Sequence, residues 1–181
     1  DLNTARYEGS SAGANSTSAL FMGGYEYPGS SPYVVAIVES WDGSSWTEIT
    51  DLNTGRWATS GVGTQTNASI VDETEVWNGS SWTEVNDMNT ARAYHASGGL
   101  YTEALTFGGM TPGETRVGNT EIWNGTSWSE TTDISTARAS FGGAGDDSSG
   151  LAFSGETQTT PTGATEEWTA PITNTVTFTV S

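Results

Sequence analysis

Short apolar stretches recur along this chain, and each is broken after a few residues by Gly, Asn, Asp or Pro. Ala19-Leu20-Phe21-Met22 closes in Gly23-Gly24. A Val- and Ile-rich run from Tyr33 to Trp41 follows, with Glu39 and Trp41 at period two, and Trp46-Thr47-Glu48-Ile49-Thr50 then alternates. Runs of this length between turn residues are strand signals, and no window carries a capped helical period. With the small, polar run from Arg6 to Gly13 in front, the unit reads as four strands, A to D in chain order. The C–D connections are Asp42-Gly43, Asn78-Gly79 and Asn124-Gly125. Such dipeptides predict type I′ hairpin turns, which need positive φ at both central residues.

The unit is written four times. Asp1-Leu2-Asn3-Thr4-Ala5-Arg6 returns as Asp51 to Arg56, Asp87 to Arg92 and Asp133 to Arg138. Glu-x-Trp returns at Glu39, Glu75, Glu121 and Glu166, and a second Trp follows at Trp46, Trp82 and Trp128. The second unit lacks its Gly pair and B–C loop. The fourth has Thr175 to Val180 where the others have the second Trp strand. Four strands per repeat of about 45 residues is the blade of a β-propeller. The expected fold is all-β: one domain of four four-stranded blades at about 1–50, 51–86, 87–132 and 133–181. The blades form either a closed small ring or part of a larger propeller or oligomer.

Phe21-Met22-Gly23-Gly24, then Glu39-Ser40-Trp41, Trp46 and Arg56, with their later counterparts, resemble the kelch repeat over nearly the whole chain. Kelch propellers usually carry Tyr where Trp41, Trp77, Trp123 and Trp168 stand, and more blades than the four counted here. The Thr/Ser/Gly-rich, Lys-free wording also resembles repeats in tail or surface proteins of marine phages and bacteria. That likeness implies an adhesion or recognition module of a virion or cell surface.

Composition narrows the chemistry. The 181 residues carry a net charge of −17, with five Arg and no Lys. Nucleic acid is an unsuitable partner, because phosphate binding needs clustered cations. With no Cys there is no disulfide, thiol nucleophile or thiolate metal site. The enzymes among kelch-type propellers include copper radical oxidases, which need a Cys–Tyr crosslink and several His; this chain has one His, His95, and no Cys.

Each remaining constellation has two readings. Arg6, Arg56, Arg92 and Arg138 with Glu39, Glu75, Glu121 and Glu166 form either an anion-binding ring or an internal pair repeated per blade. The second is favoured, because residues repeated in every unit usually serve the unit and Arg pairs bidentately with carboxylate. His95 is a base or ligand, or simply a strand-A side chain; alone it makes no typical transition-metal site. Asp146-Asp147 and the other acids bind Ca²⁺ or merely keep the surface solvated. No calcium loop motif is present, so no cofactor is expected and calcium stays open. Asn15, Asn67, Asn78 and Asn124 are N-glycosylation sequons, two of them already explained by turn chemistry.

Antiparallel strand order puts A–B and C–D connections on one face and B–C and D–A connections on the other. The sequons fall on the first face. The B–C loops differ most between repeats, and variation on a fixed scaffold is where binding residues tend to sit. The first holds Tyr25, Tyr27 and Tyr33, the third Met110, Glu114 and Arg116, and the fourth Gln158. The expectation is a non-enzymatic, extracellular or virion-surface module that binds a cell-surface glycan or protein through this face. The alternative is a structural or self-assembling module contacting other virion or surface subunits or copies of itself.

Overall fold

The computed structural model describes residues 1–26 and 33–171. Every regular element among them is a β-strand. Blade 1 begins with a two-residue ribbon, β1 (Arg6–Tyr7) paired with β4 (Tyr25–Glu26). Its main sheet runs β2 (Ser10–Asn15), β3 (Ser18–Met22), β5 (Val38–Trp41) and β6 (Trp46–Glu48). Blade 2 is β7 (Ser60–Gly63), β8 (Ala68–Val71), β9 (Glu75–Trp77) and β10 (Trp82–Glu84). Blade 3 is β11 (Ala96–Leu100), β12 (Glu103–Phe107), β13 (Thr120–Trp123) and β14 (Trp128–Glu130). Blade 4 shows β15 (Gly142–Gly145), β16 (Ser149–Phe153) and β17 (Thr165–Thr169). Its fourth strand, expected at Thr175 to Val180, lies outside the described residues.

Each sheet is an antiparallel meander, and the four sheets are arranged as a four-bladed β-propeller. The A strands are innermost: β2 packs on β7, β7 on β11 and β11 on β15. At their entry, Glu8, Ala58, Tyr94 and Ser140 share a left-handed backbone, with φ of 56, 54, 56 and 53°. Such φ values cost non-Gly residues roughly 1–2 kcal/mol each. Hydrogen bonds between blades hold them there: Ala58 N–H to Glu8 O at 2.8 Å, Tyr94 N–H to Ala58 O at 2.7 Å, and Ser140 N–H to Tyr94 O at 3.0 Å.

The cores lie between blades. Leu20, Met22 and Val38 of blade 1 meet Ala68, Ile70, Trp77 and Trp82 of blade 2. Val62 and Val71 of blade 2 meet Ala104, Trp123 and Trp128 of blade 3. Leu105 and Phe107 of blade 3 meet Ala152 and Trp168 of blade 4. The linker residue Leu52, Met88 or Ile134 closes each junction.

The C–D turns correct the type I′ expectation. Trp77 pairs with Trp82, so the loop has four residues, Asn78 to Ser81, and only its Gly has positive φ (93°). The Asn78 side chain accepts the Ser80 and Ser81 N–H groups, at 3.0 Å each. Asp42 and Asn124 do the same in their turns. The residue is there as an Asx acceptor, and its own backbone need not turn left-handed.

Candidate functional site

The repeated Arg and Glu meet inside every blade. Arg6–Glu39 and Arg92–Glu121 are 2.6 Å apart, and Arg56–Glu75 and Arg138–Glu166 are also ion-paired. The same carboxylates accept backbone N–H groups of the Asp-x-Asn/Ser-Thr linker: Asn3 and Thr4 on Glu39, Asn53 and Thr54 on Glu75, Asn89 and Thr90 on Glu121, and Ser135 and Thr136 on Glu166. Each pair therefore fastens the linker entering a blade to strand C of that blade. Burial pushes the Glu39 and Glu166 pKa values up, but the hydrogen bonds and Arg partners outweigh it and hold both below the usual carboxylate range.

The B–C face carries a different set. Tyr25 stacks on Tyr33 at 5.7 Å between ring centroids and meets Tyr7 at 5.5 Å across the β1–β4 ribbon. Trp57 lies edge-on to Tyr25 at 5.9 Å and to Tyr94 at 5.9 Å. Five rings thus form a track from the first B–C loop to the propeller axis. Tyr7 is 50% exposed, and Tyr33 and Trp57 are each 40% exposed. Tyr27 lies outside the described residues.

Beside the track, Trp57, Tyr94, Asp72, Arg92, Met110, Pro112 and Glu114 line a groove of about 280 Å³. Asp72 stands where the second unit lost its B–C loop, on a left-handed backbone (φ 108°). Burial raises its pKa to about 6, and the Arg92 backbone N–H and the Arg56 and Arg92 charges only partly offset that. Arg92 keeps Nε and Nη2 without a partner among the described residues.

The third and fourth B–C loops brace one another. The Arg116 backbone N–H donates to Gln158 Oε1 at 2.9 Å, Gln158 Nε2 donates to Glu114 O at 3.2 Å, and Arg116 pairs with Glu156 at 2.5 Å. Met110 bridges both Ala93 and Arg116. Arg116 and Gln158 are thereby engaged with each other, whereas Tyr25, Tyr33 and Met110 border the track and groove.

His95 is buried near the axis with Nδ1 2.8 Å from Thr106 Oγ1. Burial, then the Arg92 charge, pushes its pKa down to about 3, so it is neutral near pH 7. Asp146 accepts the Ser148 and Ser149 N–H groups in the blade-4 A–B turn. Among the described residues no group of three or more His, Asp or Glu is placed to hold a metal ion. Asn15 ends β2 at the first A–B connection, and Asn67, Asn78 and Asn124 sit in A–B and C–D turns, all away from the track.

Tyr7, Trp57, Tyr94 and Asp72 were not singled out by sequence. Tyr7 and Trp57 share one repeat position, directly after the structural Arg; the other two units have Ala93 and Ala139 there. That asymmetry was the available signal. No protein-family model matches the chain, and no curated protein matches it.

Proposed function

We propose that this protein is a non-enzymatic recognition module whose B–C face binds a carbohydrate displayed on a cell surface, and that it works outside the cell or on a virion. The observation that carries the reading is the five-ring track beside a groove holding Asp72 and Glu114. Aromatic faces stack on the apolar face of a sugar ring, and carboxylates accept its hydroxyls. Both features occur where the repeats differ, on a scaffold whose repeated charges are tied into its own linkers. We also read the blades as kelch-like, on Phe21-Met22-Gly23-Gly24, Glu39-Ser40-Trp41, Trp46 and Arg56 and their counterparts.

The test is a glycan array probed with the parent protein and with Trp57→Ala. The reading expects a defined set of binding glycans and signals weakened about three- to tenfold by the loss of one ring, the equivalent of roughly 0.5–1.5 kcal/mol. No glycan bound, with a protein bound on cells instead, would move the reading to a protein receptor. The second reading, a structural module of a virion or surface filament, is favoured by one observation: among the described residues no hydrogen bond or hydrophobic cluster joins blade 4 to blade 1.

A further inference from the structure

Three junctions join successive blades in this molecule, all to one plan. The fourth, from blade 4 to blade 1, is different. Among the described residues no hydrogen bond, ion pair or hydrophobic cluster spans it. Its two halves are nevertheless present. On blade 1, Phe21, Trp41 and Trp46 stand where blade 2 has Ile70, Trp77 and Trp82, yet they are only half-buried while those counterparts are 0, 4 and 6% exposed. Leu2 is likewise half-buried where Leu52, Met88 and Ile134 are sealed. On blade 4, Leu151 and Phe153 stand where blade 3 has Leu105 and Phe107; Phe153 is 42% exposed and Phe107 1%.

Polar bonds say the same. The Trp82 indole donates to Thr50 O of the preceding blade at 3.0 Å, and Trp128 donates to Thr74 Oγ1 at 3.0 Å. Trp46 has no such bond among the described residues. A methyl on Gly118 would press on Ile134 O of the next linker at 2.6 Å, whereas at the matching Gly163 nothing lies within 4 Å. The seat for a following linker is built, and no described residue fills it.

We propose that a second copy of this chain fills the seam, its blade 1 packing on blade 4 of the first and its blade 4 on blade 1. The partner is argued from continuity: the two open faces are the complementary halves of a junction the chain already makes three times. They differ from one another, so the contact is head-to-tail, and two copies close a ring with two such contacts. A chain of net charge −17 repels its copy, so the pairing strengthens as salt rises. The inference is independent of the carbohydrate reading.

The experiment is sedimentation velocity with light scattering on the full chain, over a concentration series at low and high salt. The expected species has twice the 19.0 kDa chain mass, favoured by salt. Trp46→Asp and Phe153→Asp each break one half of the contact, so each alone gives the single-chain mass. Mixed, they retain one intact Phe153 face and one intact Trp46 face, and the two-copy species returns. Circular dichroism monitors folding, and Leu2→Asp replaces Trp46→Asp if that variant does not fold. A single-chain mass for the parent under all conditions overturns the proposal. So does a two-copy mass that neither variant changes.

Discussion

Replacing Arg92 by Ala tests whether the repeated ion pair is an internal fastening. Both side chains of the Arg92–Glu121 pair are 0% exposed. Glu121 Oε1 accepts Arg92 Nη1 at 2.6 Å and Thr90 N–H at 3.3 Å, while Oε2 accepts Asn89 N–H at 2.7 Å and Asn89 Nδ2 at 2.9 Å. Arg92→Ala removes the only cation and leaves a buried carboxylate with three donors. Orphaning one member of a buried pair costs about 3–5 kcal/mol. The three surviving N–H donors retain part of the stabilisation, which leaves a net loss on the order of 2–3 kcal/mol. For a chain of this size each kcal/mol lowers Tm by about 2–4 °C, so the expected drop is about 5–10 °C. Differential scanning calorimetry at neutral pH measures it. Arg92→Met with Glu121→Leu should lose less than Arg92→Ala alone, because no charge is then left buried. A Tm for Arg92→Ala indistinguishable from the parent's would refute the reasoning.

Asp72→Asn should be stabilising only above the acid range: the unfolded chain loses the Asp72 proton near its ordinary pKa of 3.8 and the folded chain only near 6, so the penalty on the native state grows between these values and is constant above them. Melting curves from pH 3.5 to pH 8 check this, and parallel curves for parent and variant would contradict it. Gly125→Ala forces a side chain into φ 88° in a C–D turn and should cost about 1–2 kcal/mol in chemical denaturation, while leaving ligand binding unchanged because the turn lies on the other face. Dialysis against EDTA should leave the melting transition in place; unfolding on chelation would reveal a carboxylate metal site.

The blade plan was legible because repetition supplies its own control. Arg6, Arg56, Arg92 and Arg138 kept one spacing to the linker, and Glu39, Glu75, Glu121 and Glu166 kept one spacing to Trp, so an internal pair was legible; its bidentate form was not met, because only Oε1 of each Glu meets the Arg while Oε2 accepts the linker's Asn or Ser. The aromatic track was legible only in its first loop. Tyr25 and Tyr33 stand close in sequence, but Trp57 joins Tyr25 from blade 2 and Tyr94 joins Trp57 from blade 3, and only the propeller arrangement makes Arg-plus-one and Arg-plus-two positions of different repeats neighbours. The raised Asp72 pKa needs burial between blades, which no linear pattern encodes. Whether the ring closes stayed open in the sequence, because Trp41 and Trp46 repeat the wording of Trp77 and Trp82, and their different exposure comes from what packs against them. The C–D turns misled because Asn-Gly signals two chemistries, a left-handed backbone or an Asx acceptor, and the loop length that separates them depends on where the strands pair.

The central claim is that recognition belongs to the B–C face. It is tested most directly by calorimetric titration of one bound glycan into three proteins: the parent, Tyr25→Ala with Trp57→Ala, and Gly79→Ser in the opposite turn. The account predicts that the double variant, its fold intact by circular dichroism, binds about ten- to a hundredfold more weakly, from roughly 0.5–1.5 kcal/mol per ring. It predicts that Gly79→Ser binds like the parent. Full affinity in the double variant, with binding lost in Gly79→Ser, would contradict it.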